Sequence, residues 1–274
     1  MLNAPHQNPK RILSARRPKR CYIIDEWSYR EENFLQYSQP PTCLPRRKPH
    51  LKSAPNRFTM ILGVIPARGA SKGIPQKNIR QVCGKPLIAW TIEAAQQSLL
   101  LDRWVVSTED PDIARISRLY GAEILNRPPQ LAIDTTPTIQ VLKHVLDQIS
   151  ADTLVILQPT SPIRSNGLID RCIRQFGAAQ ADSLATGFMC KYQEYALNKN
   201  LRRQDRAGFF YDDGNVYVLR AAIVSAGEQF GEKIERVLLD REQNIEVDDF
   251  FELWLAEKVL ERRSAGNSNP TDAT

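Results

Sequence analysis

The sequence predicts an α/β fold with a mainly parallel sheet, and three observations lead to that prediction. From residue 60 onward, short apolar runs alternate with segments of helical periodicity, which is typical of successive strand-helix-strand units. Of the 274 residues, 42% are hydrophobic and 25% are charged, which is enough for one substantial core. No segment approaches the roughly 18 uninterrupted apolar residues that a membrane-spanning helix needs. We therefore expect a folded domain with no membrane partner.

The first half of this domain is predicted to contain three strands and three helices. Apolar runs predict strands at residues 60–66, 104–108 and 122–125. Helical periodicity predicts helices at residues 86–98, 112–120 and 136–149. Pro86 occupies a first helical turn, where proline is tolerated, and Ile139, Leu142 and Val145 form the core face of the third helix.

The second half begins with a strand at residues 153–157, which we interpret as buried and central because it is apolar throughout. A helix is predicted at about residues 167–176, strands at 215–219 and 237–239, and a last helix at 250–263. The chain after residue 264 is polar, so we expect a flexible tail over residues 264–274 and a folded domain over residues 60–263.

The net charge of +6 is concentrated in residues 1–59, which hold 12 Lys and Arg, 4 Asp and Glu, and 8 of the 18 prolines. This composition predicts a disordered basic extension, and it leaves a net charge of −2 for the rest of the chain. The basic clusters are consistent with a solvated charge run or with a nuclear address or nucleic-acid arm. Met60 directly opens the first strand, so translation could start at Met1 or at Met60.

Cysteine and histidine content excludes several classes of site. The five cysteines are widely spaced and form no C-x-x-C pair, which favours a reducing, cytoplasmic setting. The chain has only three histidines, and two of them lie in the basic extension. A histidine-based zinc site or a Ser-His-Asp triad is therefore not expected.

The loop over residues 66–78 carries two glycines together with Arg68, Ser71, Lys72 and Lys77. Glycines allow backbone N–H groups to approach an anion closely, Arg68 can hold two phosphate oxygens, and lysines add compact positive charge. The loop matches neither G-x-x-x-x-G-K-[ST] nor G-x-G-x-x-G. Composition alone therefore leaves a polyphosphate site and a plain surface loop as open alternatives.

This loop resembles the I-P-A-R-G-G-S-K-G-I/L-P-x-K-N-I signature of the acylneuraminate cytidylyltransferases, with Ala70 at the position of the second glycine. The resemblance continues through residues 83–88, 106–110 and 127–134 and through the L-Q-P-T-S-P-I-R segment at 157–164. It covers roughly residues 60–262. It implies a Rossmann-like three-layer nucleotidyltransferase fold that transfers CMP from CTP to the anomeric hydroxyl of a 2-keto sugar acid.

The resemblance also implies roles for individual residues. The nucleotide is expected to bind to Arg68, Ser71, Lys72, Lys77, Asn78 and Ser107. The sugar acid is expected to bind to Gln158, Thr160 and Arg164. The catalytic residues are expected to be Arg68, Lys77 and Asp248.

Residues 245–257 resemble the family's I-D-I-D-x-x-x-D-L-x-x-A-E segment, with Glu246 in place of the first aspartate. Strand alternation puts Glu246 and Asp248 on the same face, as a Mg²⁺ site would need. The alternative is that Asp248 only caps the last helix.

The segment between Gln158 and Asp213 departs from the family, in which it supplies a dimerising arm. Because it is about 20 residues shorter here, its interface should fall below the roughly 1,600 Å² of a stable complex, and we expect a monomer or weak homodimer. Arg203 keeps part of the arm and remains a candidate ligand of the sugar carboxylate.

Three hypotheses of function follow from the sequence. The first is a cytidylyltransferase that uses CTP, Mg²⁺ and a sialic, legionaminic, pseudaminic or octulosonic acid. The second is a non-catalytic nucleotide-binding relative, suggested by Ala70, Glu246 and the shortened arm. The third, a nucleic-acid-binding protein, depends only on the basic extension and is the least favoured.

Overall fold

A computed structural model of the chain describes residues 59–192, 194 and 201–266. Residues 1–58 of the predicted extension and residues 267–274 of the predicted tail lie outside the described residues. None of the helices in the described ranges is both long enough and apolar enough to cross a membrane.

The described chain alternates strands and helices from Ile61 onward. The strands are β1 (Ile61–Pro66), β2 (Gln81–Val82), β3 (Lys85–Pro86), β4 (Arg103–Thr108), β5 (Glu123–Asn126), β6 (Thr153–Leu157), β7 (Ser183–Cys190), β8 (Phe209–Arg220) and β9 (Ile234–Leu238). The helices are α1 (Leu87–Gln97), α2 (Pro111–Leu119), α3 (Thr138–Gln148), α4 (Leu168–Ala179), α5 (Ala221–Ala226) and α6 (Phe250–Gly266).

Seven strands form one sheet in the order β5-β4-β1-β6-β8-β7-β9, and β2 pairs with β3 in a separate hairpin. In the large sheet only β8 runs antiparallel to its neighbours. One face packs against α1, α2 and α4, and the other packs against α3 and α5. The predicted three-layer α/β fold with a mainly parallel sheet is therefore confirmed.

The apolar runs predicted most strands of the sheet, but they did not predict β7. Its sequence, with Ser183, Thr186 and Gly187, contains no continuous apolar run. It forms a strand because it pairs with β8 on one side and with β9 on the other. The hairpin β2–β3 and the short helix α5 were also not predicted, while α6 extends to Gly266, three residues beyond its predicted end.

The strand order places a crevice at the carboxyl ends of β1 and β6. From β1 the chain proceeds to β4 and β5 on one side, and it then returns to β6 on the other side of β1. In open α/β sheets, ligands bind where the order reverses in this way. The loop that follows β1 and the residues that follow β6 both lie at this edge.

Candidate active site

The loop after β1 is held against two other segments through its glycines. A Cβ atom at Gly69 would lie 2.3 Å from a carboxylate oxygen of Asp110, and one at Gly73 would lie 2.1 Å from the carbonyl oxygen of Asp248. The Gly69 N–H also donates a hydrogen bond of 2.7 Å to Glu109. Close packing therefore explains both glycines. Ala70 is not among the described residues with positive φ, so alanine causes no backbone strain at that position.

Two of the predicted phosphate-binding cations converge on one aspartate. Arg68 Nη1 lies 2.5 Å from Asp134 Oδ1, and Lys72 Nζ lies 2.6 Å from Asp134 Oδ2. The hydrogen bond from Lys72, with Arg68 beside it, lowers the pKa of Asp134. Asp134, to which the sequence analysis assigned no role, thus aligns Arg68 and Lys72 at the crevice.

Lys77 connects the loop to the carboxylate segment before α6. Its Nζ donates hydrogen bonds of 2.8 Å to the Val247 carbonyl oxygen and to Asp248 Oδ1.

The residue that caps α6 is Asp249, the neighbour of Asp248. Asp249 Oδ1 accepts from the Glu252 N–H, and Glu252 Oε2 accepts from the Asp249 N–H. The alternative in which the Asp248 side chain caps α6 is therefore wrong.

Glu246 and Asp248 lie on the same face of their segment, as strand alternation predicted. Ile245 and Val247 point into the core, while Glu246 and Asp248 are more exposed. Glu246 accepts a hydrogen bond from Thr160 Oγ1. Burial and the nearby Asp248 raise the pKa of Glu246 to about 7, so the two carboxylates are close enough to repel each other.

A cavity of about 260 Å³, here called the loop cavity, lies at the carboxyl ends of β1 and β6. The predicted residues that line it are Arg68, Ser71, Lys77, Asn78, Gln158, Thr160 and Glu246. Asn78 is buried and donates a hydrogen bond of 2.9 Å to the Arg68 carbonyl oxygen, which holds the loop closed. Residues far apart in the sequence, from three separate motifs, thus form one site.

Ser107 does not line this cavity. It is fully buried, and its Oγ accepts a hydrogen bond from Arg127 Nε, while its carbonyl oxygen accepts one of 2.7 Å from Arg127 Nη2. Arg127 itself lines the cavity, and burial lowers its pKa. The structure therefore gives Ser107 the role of positioning Arg127. Arg127 belongs to the segment 127–134 that resembles the family, but the sequence contains no signal that Arg127 reaches the cavity.

Arg164 has a structural role that differs from the predicted contact with sugar. Its guanidinium donates hydrogen bonds of 2.7 Å to Thr91 Oγ1 and of 2.8 Å to the carbonyl oxygens of Gln158 and Asn215. Burial lowers the pKa of Arg164 to about 9. Arg164 thus connects α1, the end of β6 and β8, and it lines neither the loop cavity nor the cavity over β8 that is described below.

We expect the substitution Arg164→Met to lower the free energy of unfolding by about 3 kcal/mol, because three buried acceptors lose their donor. Urea unfolding measures this change. The matched control is Arg171→Met, which removes an exposed arginine from α4 and should change stability by less than about 0.5 kcal/mol. If Arg164→Met kept its stability and showed a raised KM for an acceptor, Arg164 would contact the sugar acid, as the resemblance implied.

Arg203 lies in a short 3₁₀ turn (Arg203–Asp205) between β7 and β8. Its guanidinium lies over the Tyr192 ring, 5.5 Å from the centroid, and it lines neither the loop cavity nor the cavity described next. Within one chain Arg203 thus lies outside both cavities, and its contact with a sugar carboxylate stays a prediction.

A second cavity of about 280 Å³, here called the sheet cavity, lies over β8, β7 and β9 on the α3 face of the sheet. Gln158 and Thr138 line both this cavity and the loop cavity. Tyr217 and Asp212 line the sheet cavity, and the Tyr217 hydroxyl donates a hydrogen bond of 2.9 Å to Asp212 Oδ2. Two ligands bound in the two cavities would meet at Gln158.

Comparison with known proteins agrees with this arrangement. Residues 62–236 match the family model described as cytidylyltransferase. The chain belongs to this family. A solved member of the same fold, a CMP:2-keto-3-deoxy-manno-octonic acid synthetase complexed with CTP, matches 75% of this chain and 100% of its own with a TM-score of 0.62. At 15% sequence identity, that match concerns the fold alone.

Two similar proteins have names that specify a sugar acid. The N-acylneuraminate cytidylyltransferase of Escherichia coli is 28% identical over 223 residues, which cover 75% of this chain and 53% of the relative. The CMP-N,N'-diacetyllegionaminic acid synthase of Legionella pneumophila is 44% identical over 110 residues, or 38% of this chain and 47% of the relative. The chain thus matches about half the length of each relative.

Proposed function

We propose that this protein transfers CMP from CTP to the anomeric hydroxyl of a 2-keto sugar acid and releases pyrophosphate. The observation that supports this most directly is the junction of the two cavities at Gln158 and Thr138. A cationic loop borders one cavity, apolar walls border the other, and the carboxylate Glu246 lies on the loop side. A nucleotide donor and a sugar acceptor would thus meet beside charged groups.

The loop cavity would hold the triphosphate. Arg68 and Lys77 line it. Lys72, which is 82% exposed, pairs with Asp134 of the lining and would exchange this carboxylate for phosphate oxygens. The anomeric oxygen would bond to the α-phosphorus as the bond to the β-phosphate oxygen breaks, and the hydroxyl proton would be released. Such a transfer depends on positioning and charge neutralisation, which suits a site without histidine.

Glu246 and Asp248 would hold Mg²⁺. Both are carboxylates, the oxygen ligands that Mg²⁺ prefers, and the raised pKa of Glu246 indicates a repulsion that a cation would relieve. When bound, Mg²⁺ would neutralise phosphate charge beside Lys77. Glu246 is longer than the aspartate that the family motif has at this position, and its carboxylate packs against Gly214. At Gly214 φ is +67°, and a Cβ atom there would lie 3.0 Å from the Glu246 carboxylate.

The acceptor would bind in the sheet cavity, and we propose a sialic acid or a related nonulosonic acid. The names of the two relatives specify acylated sugar acids of this class. The sheet cavity offers hydrogen-bonding groups at Gln158, Asp212 and Tyr217 together with apolar side chains, as a polyhydroxylated acid with acyl groups requires.

The decisive experiment measures pyrophosphate release from CTP against a panel of 2-keto sugar acids, with and without Mg²⁺. We expect turnover with at least one nonulosonic acid and none without the metal. The same assay on a chain without residues 1–59 should give equal turnover, because the site lies within the described domain. If no acid of the panel gave turnover, the protein would be a non-catalytic relative. If removing residues 1–59 abolished turnover, the basic segment would have a function in the reaction.

Arg68→Lys is expected to weaken CTP binding about 10-fold or more, nearly as much as Arg68→Ala, because lysine cannot make the planar two-point contact of a guanidinium. Isothermal titration with CTP measures the effect. The control Arg115→Lys alters an exposed arginine that pairs with Asp112 on α2 and should bind CTP normally. An Arg68→Lys protein with wild-type affinity would exclude the two-point contact.

We propose a monomer or weak homodimer in a reducing, cytoplasmic setting. Cys83, Cys172 and Cys190 are free thiols, which fits that setting. Sedimentation at micromolar concentration should therefore give mainly the monomer mass. A tight dimer would show that Phe209 and Tyr211, which are 54% and 49% exposed on β8, build an interface.

A further inference from the structure

The floor of the sheet cavity is a row of side chains across four strands. Ile156 on β6 lies beside Tyr217 on β8, which lies beside Ala185 on β7, which lies beside Arg236 on β9. In the next row Gly187 stands opposite Asp212. The Phe210 ring covers Gly187, where a Cβ atom would lie 2.7 Å from the ring, so the floor is recessed only at the small Ala185, between Tyr217 and Arg236.

Arg236 is the cationic group of this cavity. Its guanidinium lies over the Phe210 ring, 5.6 Å from the centroid, and it makes no ion pair with any carboxylate in the described part of the chain. The neighbouring walls are apolar, with Phe230 and Ile234 59% and 40% exposed. A cation on an aromatic ring beside two exposed apolar side chains suits a group that has both a hydrogen-bond acceptor and a methyl.

Arg236 lies at the end of the cavity away from the reacting atoms. In the strand order β6-β8-β7-β9, β9 is three inter-strand spacings from β6, or about 14 Å. Gln158, at the junction with the loop cavity, directly follows β6. An acceptor whose anomeric carbon lies at Gln158 therefore presents its remote carbons to Arg236.

We propose that Arg236 determines acceptor specificity by binding an acylamino substituent on the carbons remote from the anomeric centre. This inference rests on the proposed function. The acyl carbonyl oxygen would accept from the guanidinium, and the methyl group would pack against Phe230 and Ile234.

The experiment compares two 2-keto sugar acids that differ only in having an acylamino group or a hydroxyl on a remote carbon. In Arg236→Met, the KM for the acylamino acceptor should rise about 10-fold or more, while the KM for the hydroxyl acceptor changes less than about threefold. The kcat and the KM for CTP should stay at wild-type values, which also shows that the variant is folded. Arg171→Met, an exposed arginine on α4, is the matched control.

The outcomes separate the inference from the proposed function. If the wild-type protein turned over both acceptors and Arg236→Met left the KM for the acylamino acceptor unchanged, the inference alone would be overturned. An equal rise in the KM for both acceptors would also overturn it. A larger effect on an acceptor with a remote carboxylate would also overturn it. No turnover of any acceptor by the wild-type protein would overturn the proposed function and the inference with it.

Discussion

Replacing Lys77 with methionine is expected to lower kcat/KM by about 100- to 1,000-fold, the range seen when a positioned donor to developing negative charge is removed. Lys77 is 13% exposed and holds two acceptors, the Val247 carbonyl oxygen and Asp248 Oδ1. Its loss therefore removes positive charge from the loop cavity and also releases the loop from the carboxylate segment. Steady-state pyrophosphate release measures the change.

The control for this variant is Lys143→Met, which removes an exposed lysine from α3. Its activity should stay within about twofold of wild type. Thermal unfolding of both variants separates a loss of activity from a loss of structure. If Lys77→Met kept activity within about threefold of wild type while remaining folded, Lys77 would have no part in catalysis.

The second large effect is expected from Asp248→Asn. Removing one negative charge from the Glu246 and Asp248 pair weakens Mg²⁺ binding and leaves phosphate charge uncompensated, so turnover should fall about 100-fold, with a higher Mg²⁺ concentration needed for half-maximal rate. Glu246→Gln should have a milder effect. Initial rates over a Mg²⁺ titration measure both quantities.

Asp249→Asn is a closely matched control for Asp248→Asn. It changes the adjacent carboxylate in the same way, and asparagine still caps α6 by accepting from the Glu252 N–H. We therefore expect normal turnover and stability from Asp249→Asn. Equal activity of the two variants at every Mg²⁺ concentration would rule out a metal role for Asp248.

The helix cap shows why the assignment of Asp248 needed three-dimensional information. In the sequence, Asp248 and Asp249 are adjacent and either could precede α6. Only the structure shows that Asp249 and Glu252 form the reciprocal cap, which leaves the Asp248 carboxylate for Lys77, 171 positions away in the chain.

Arg164 and Arg236 illustrate the same limit for arginines. Arg164 belongs to a motif that resembles a sugar-binding segment, but both of its terminal nitrogens donate to acceptors on α1, on β8 and at Gln158, directly after β6. Arg236 belongs to none of the motifs, and it lines the sheet cavity because β9 pairs with β7. Sequence patterns identify residue types, whereas strand pairing decides which side chains share a cavity.

The sequence by itself determined the α/β class, the order of most strands and helices, the cationic loop, and the placement of Glu246 and Asp248 on one face of their segment. These features are local, since apolar runs set strands and a motif keeps its residues within one loop. Only the tertiary structure decided that Ser107 lies beneath Arg127, that Asp134 pairs with two cations, and that β7 supplies the floor of the sheet cavity. Each of these contacts joins segments distant in the chain, and their formation depends on packing and pairing that no single segment encodes.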